Sequence, residues 1–216
     1  MKDRFDLLVF DWDGTLFDSI GWIVECIRHA ARECQFDIPP DHAARAVIGL
    51  SLPQAMQTLY PGSSPEQAER LAVQYREYYH RKSVTALGLF EGVEDMLVEF
   101  QTRGYKLAVA TGKARSGLDH ALRETGMKDF FHATRCADET ASKPDPLMMR
   151  QLMEVLEAPS ERTLLIGDSL HDMRMAHNAG VAGIGVGCGA NHLAELAELN
   201  PLACIESTAE LLNLLT

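Results

Sequence analysis

The stretch VFDWDGTLFDS, residues 9–19, ends an apolar run on two aspartates one residue apart, with Gly14 and Thr15 directly after. Residues 5–10, FDLLVF, read as a short buried strand. Side chains alternate along a strand, so Asp11 and Asp13 share one side of its end, while Trp12 points the other way and reads as packing. Two carboxylates about 4 Å apart repel by roughly 4 kcal/mol at an effective dielectric near 20. Something must offset that repulsion, and the rest of the sequence should show what.

Outward from this strand, apolar runs recur at KLAVA (106–110), TLLIG (163–167) and VAGIGV (181–186), with a weaker one near 131–136. Helical patterns lie between them. GVEDMLVEFQTRG ends on Gly104 and DSLHDMRMAHNAG on Gly180, both suited to the position after a helix C-terminus. In SKPDPLMMRQLMEVL, Asp145 is placed to cap and Pro146 to take the first helical position. Alternating strands and helices predict an α/β fold, a mostly parallel sheet with helices on both faces.

Residues 19–85 break the alternation and read as all-helical: Ser19 to about Cys34, a stop at Pro39-Pro40, a short segment through Leu50, then Leu52 to Tyr60. SPEQAERLAVQYREYYHRK follows, with Ser64 as cap, Pro65 at the first helical position and Gln67 closing a capping box. The predicted organisation is a discontinuous core, 1–18 and 86–216, with a helical insertion at 19–85. Hinges are expected near Phe17–Ser19 and Leu87–Gly92. Tyr75, Tyr78 and Tyr79 fall at helical spacing and read as packing within the insertion. GIGVGCG (183–189) opens no helix and reads as a late strand with its exit turn.

Composition narrows the function classes. The 216 residues are 46% hydrophobic and 24% charged, ordinary for a globular protein, and the net charge is −11. That charge argues against nucleic acid or an anionic membrane as the main partner. Five cysteines, an odd number without a CxxC pair, read as reduced thiols. The eight histidines show no HExxH or similar zinc spacing. The start, MKDRFDLLVFD, is not a signal peptide, and no apolar segment is long enough to span a bilayer, so a cytoplasmic location is expected.

Besides Asp11 and Asp13, polar residues fall at or just after other strand ends: Thr111, Lys143, and Asp168 with Asp172. In an open parallel sheet this edge binds ligands. At these residues the sequence resembles the haloacid dehalogenase-like (HAD) hydrolases, in their phosphatase branch. FDWDGTLFDS, ATGK (110–113), SKPDP (142–146) and GDSLHD (167–172) look like the four family motifs, in order, and together span the chain. Motif pattern, length and a small helical cap between the first two motifs look closest to phosphoglycolate phosphatase-like proteins. The resemblance implies a Rossmann-like, HAD-like core and a Mg²⁺-dependent phosphatase acting on a small phosphorylated metabolite, as a monomer or homodimer.

By this resemblance Asp11 is the nucleophile that forms an aspartyl-phosphate. Asp13 protonates the leaving alkoxide and then deprotonates water. Mg²⁺ takes the Asp11 side chain, the Asp13 backbone carbonyl and the Asp168 side chain, with Asp172 acting behind them or through water. Thr111 can donate to a phosphate oxygen, Gly112 permits close backbone approach, and Lys143 can pair with both Asp11 and the phosphate. Lys113 reads equally as a further contact or as a solvated lysine. RAVIGLSLPQ (45–54) resembles the family's specificity loop, with Gly49 and Ser51 in a turn; Arg45 reads as a contact to a substrate anion or as a helix-capping arginine.

Dehalogenases of this family lack the second aspartate, so Asp13 argues against that activity. DGT at 13–15 looks more like the hydrolases than like sugar phosphomutases of the β-phosphoglucomutase type. A non-catalytic regulatory protein on the same fold would generally have lost Asp11 or Asp13, and both are present.

Overall fold

The computed structural model describes residues 4–81 and 88–215. Among them, six parallel strands form one sheet: β1 (Leu7–Phe10), β2 (Lys106–Thr111), β3 (Ala133–Cys136), β4 (Thr163–Gly167), β5 (Ala182–Val186) and β6 (Ala203–Ile205). Their spatial order is β3-β2-β1-β4-β5-β6, so the chain reverses its direction of winding at β1. Phe10 pairs with Val109 of β2 and with Ile166 of β4. That register brings Asp11, Thr111 and Asp168 out at one edge, at the switch point where open α/β sheets hold ligands.

β1 is buried along its whole length, as its unbroken LLVF run requires. Leu8 and Phe10 pack into one core with Met96, Leu97 and Phe100 of α5 (Val93–Thr102) and Leu118 of α6 (Arg115–Glu124). Leu7 and Val9 pack on the opposite face with Met148, Met149 and Leu152 of α7 (Leu147–Val155) and Met175 of α8 (Leu170–Ala179). Each such buried side chain contributes roughly 1.5–3 kcal/mol relative to exposure. Trp12 belongs to the first core, stacked on Phe17 with ring centroids 5.8 Å apart. The packing role expected for it holds.

Between β1 and β2 lie α1 (Ile20–Glu33), α2 (Asp41–Ala46), α3 (Leu52–Leu59) and α4 (Pro65–Tyr79). They bury a third core around Ile23, Ile27, Val47, Met56 and Leu71. The Ser64–Gln67 capping box forms as expected: Gln67 N donates to Ser64 Oγ at 3.3 Å and Ser64 N to Gln67 Oε1 at 2.8 Å. The expected boundary at 85/86 lies outside the described residues, as does Leu87 of the second expected hinge. Two short helices, α9 (Leu193–Ala197) and α10 (Leu211–Leu215), follow β5 and β6.

Two local expectations need correction. Pro146 is the N-cap of α7 and not its first residue; Asp145 sits one position further out, where its Oδ1 accepts the Leu147 N–H at 2.9 Å. A sixth strand, β6, joins the five expected; its three residues are too few to show a period. All five cysteines are free thiols. Among the described residues no helix is long and apolar enough to cross a membrane.

Candidate active site

Asp11 continues the sheet one residue beyond β1, its N–H donating to Ile166 O at 2.9 Å. Lys143 lies wholly buried against it: Nζ is 2.8 Å from Asp11 Oδ1 and 2.7 Å from Asp172 Oδ1. The other Asp172 oxygen accepts the Ser169 hydroxyl at 2.6 Å and the Ser169 N–H at 3.1 Å, which closes the N-terminus of α8. Asp168 is fixed from two sides, by the Thr15 hydroxyl and the Ala190 N–H, each at 2.7 Å. Gly189 has to be glycine here, because a Cβ on it would fall 2.0 Å from Asp168 Oδ2. GIGVGCG is therefore the expected strand and turn, and the turn also packs its backbone against Asp168.

Asp11, Asp168 and Asp172 bring one carboxylate oxygen each to within 4.8 Å of one another. Burial first, and then the charges of Asp172 and Asp168, push the Asp11 carboxyl well above its usual range against the pull of Lys143. Asp168 is pushed up to about 7 by burial and by Asp172. Burial opposes the Lys143 charge, but Asp11 and Asp172 outweigh it and hold the ammonium above its ordinary value. One lysine pairs with two of these three buried carboxylates, Asp11 and Asp172. A cluster of hard oxygen donors with excess negative charge is suited to a metal cation.

Asp13 points to a different partner. Lys113 Nζ lies 3.0 and 2.9 Å from its two oxygens, and the Ser19 hydroxyl donates to Oδ1 at 2.7 Å. Lys113 also donates to the Tyr79 hydroxyl at 3.1 Å and sits 4.8 Å from the centre of that ring. Burial works against its charge, yet Asp13 and Tyr79 raise it above an ordinary lysine. The solvated alternative for Lys113 is thus overturned. The packing expectation for the three tyrosines holds for Tyr78, stacked on His29 and Trp22. It is incomplete for Tyr79, which reaches out of α4 to Lys113. The four-residue spacing of Tyr75 and Tyr79 marked a shared face, but not what that face meets.

A cavity of about 430 Å³ lies between this edge and the insertion, bordered by Asp11, Asp13, Thr111, Gly112, Gly49 and Ser51 among others. Lys143, Asp168 and Asp172 stand behind Asp11 and are not among its lining residues. Thr111 is buried at the end of β2, its Oγ1 accepting the Lys113 N–H at 3.2 Å. Close approach does occur at Gly112, but to protein: a Cβ there would lie 2.5 Å from Gly49 O and 2.6 Å from Leu50 O. Ser51 N donates to Ser142 Oγ at 2.8 Å, and His171 Nε2 to Ala46 O at 2.9 Å, tying the insertion to the sheet. Arg45 takes part in the same seam. It pairs with Asp41 at 2.7 Å, donates to Gly189 O at 3.4 Å, and does not line the cavity.

The parallel sheet thus presents buried carboxylates at its C-terminal edge, facing a cavity under a helical insertion. Residues 8–186 match the family model described as haloacid dehalogenase-like hydrolase, and the chain belongs to that family. It is 34% identical over 213 residues to the Probable phosphatase IndB of Dickeya dadantii, covering 96% of this chain and 92% of that protein. It is 30% identical over 204 residues to a phosphoglycolate phosphatase of Vibrio cholerae, covering 90% of each. The crystal structure of a hydrolase from Pseudomonas syringae superposes with a TM-score of 0.89 at 24% identity, covering 96% of both chains, and shows the shared fold.

Proposed function

We propose that this protein is a Mg²⁺-dependent phosphatase of the phosphoglycolate phosphatase-like kind, hydrolysing small-metabolite phosphomonoesters through an aspartyl-phosphate. The observation that carries the reading is Asp11 itself, a buried carboxylate at a strand end, held by Lys143 and open to the cavity. The relatives named phosphatases support it.

In the first step an Asp11 oxygen attacks phosphorus and the bond to the alcohol oxygen breaks, with Asp13 passing its proton to the leaving alkoxide. In the second, Asp13 takes a proton from water, whose oxygen displaces Asp11 and yields inorganic phosphate. Thr111 and the backbone at Gly112 bind the phosphate oxygens, and Lys143 keeps Asp11 oriented with its charge offset. Asp11, the Asp13 carbonyl and Asp168 would hold Mg²⁺, with Asp172 behind them, consistent with the donor set of the buried cluster. When bound, the ion neutralises charge on the transferring phosphoryl group. Residues 19–85 serve as the cap that excludes water and meets the leaving group.

Phosphate release from an aryl phosphate and from a metabolite panel including 2-phosphoglycolate tests this, with Mg²⁺ or EDTA, for wild type and Asp11→Asn. Release that requires both Mg²⁺ and Asp11 is the expected result. No release from any ester would overturn it, and isomer formation without net release would indicate a mutase.

A further inference from the structure

The wall of the cavity that the insertion supplies is chemically unlike the Asp11 side. It presents Ile23, Ile27, Val47, Ile48, Leu50 and Leu52. The first five are buried members of the α1–α4 core, and Leu52 packs against it, so this wall is the rim of a packed apolar cluster. An alcohol carrying a carboxylate or a second phosphate would need an unengaged cation there, because an unpaired charge is costly to desolvate. The lysine and arginine that line the cavity among the described residues are Lys113 and Arg76, and both are engaged. Lys113 pairs with Asp13 at 2.9 Å and Arg76 with Glu69 at 2.6 Å. His80 and His120 meet edge to face, with ring centroids 6.1 Å apart. The Tyr75 hydroxyl, on the same border, has no hydrogen-bond partner among the described residues and offers a neutral donor.

We infer that the site selects phosphomonoesters of neutral, mainly apolar alcohols several carbons long over esters whose alcohol carries a second negative charge. The inference rests on the phosphatase reading and adds the leaving-group class to it. A volume of about 430 Å³ has room for such a body beyond the phosphate. Burial of one methylene is worth about a three- to fourfold gain in kcat/KM when the contact is kept in the transition state.

The test is kcat/KM with Mg²⁺ for n-alkyl phosphates from methyl to hexyl, with 2-phosphoglycolate alongside. The alcohols of the alkyl series leave with similar ease, so its slope reads contact with the wall. Expected is a rise of about three- to fourfold per methylene at least to butyl, with 2-phosphoglycolate roughly tenfold or more below butyl phosphate. Ile27→Asn should flatten the slope. Leu52→Gln, at a partly exposed position, gives the same reading if the first variant fails to fold. A flat series, or 2-phosphoglycolate equal to or better than butyl phosphate, overturns the inference and leaves the phosphatase reading standing. A slope unchanged in both variants overturns the assignment to this wall. Release from no ester overturns both readings.

Discussion

Lys113 Nζ sits 2.9 Å from Asp13 Oδ2 and 3.1 Å from the Tyr79 hydroxyl, so one lysine after β2 joins the strand-end aspartate to helix α4 of the insertion. Lys113→Ala is expected to lower kcat/KM about tenfold to a hundredfold by leaving the proposed acid/base unpositioned, with partial rescue by Lys113→Arg. Tyr79→Phe keeps the ring and loses one hydrogen bond, so a severalfold loss is expected. Steady-state kinetics on one ester check all three; an unaffected Lys113→Ala enzyme would remove the contact from the mechanism.

Lys143 stands between two buried carboxylates, so its loss should affect stability as well as turnover. Lys143→Ala leaves Asp11 and Asp172 without their cation, and breaking a buried pair in this way costs about 3–5 kcal/mol. Urea unfolding should show that loss while turnover falls by orders of magnitude. Near-normal turnover would exclude Lys143 from the chemistry.

Metal and pH should be linked through Asp168, whose carboxyl is raised by burial and by Asp172 from 3.8 to about 7. The folded protein then keeps a proton that the unfolded chain has already lost, so this contribution to stability falls as pH rises through the folded value. Mg²⁺ requires the ionised carboxylate and its binding releases the proton, so its stabilisation grows over the same range. Melting curves at about pH 5.5 and about pH 8 in EDTA and in Mg²⁺ should show the larger Mg²⁺-induced rise in Tm at the higher pH. An equal rise at both would count against this linkage.

Asp11→Asn separates chemistry from stability. Burial and the neighbouring carboxylates penalise ionised Asp11, and the amide removes that charge. In EDTA near neutral pH the variant should melt no lower than wild type, while phosphate release falls by about a thousandfold or more. A large drop in Tm would show that the Lys143 pair outweighs the repulsion.

Gly112→Ala tests how tightly the 49–50 loop is seated. The added Cβ would meet two backbone carbonyls at 2.5 and 2.6 Å, so the loop has to shift. A Tm lowered by several degrees and a raised KM are expected, measured by thermal melts and kinetics. Wild-type values for both would mean the loop gives way freely.

Local signals were legible wherever the physics is local. The apolar run ending on Asp11, the Ser64–Gln67 capping box and the left-handed Gly180 after α8 each depend on a few neighbouring residues, and each lies where the sequence puts it. Asp41 and Arg45 also pair across one helical turn, a four-residue spacing visible in the chain, which favours the structural alternative for Arg45. β6 was not legible, because three residues become a strand only once β5 offers its edge.

The sequence by itself determined the order of the elements, the helical insertion after the first strand, and the carboxylates, threonine and lysines that end at one sheet edge. Strand periodicity and parallel winding force those outcomes. Beyond the expected Lys143–Asp11 pair, only the tertiary structure decided which distant charges meet. Lys143 is shared with Asp172, 29 residues away, and Lys113 answers Asp13 and Tyr79 at separations of 100 and 34 residues. It also decided that Gly112 yields space to Gly49 and Leu50, and that the insertion shows the cavity an apolar wall. Pairing between distant residues follows from how the helices pack against the sheet, and no local pattern of residues encodes that packing.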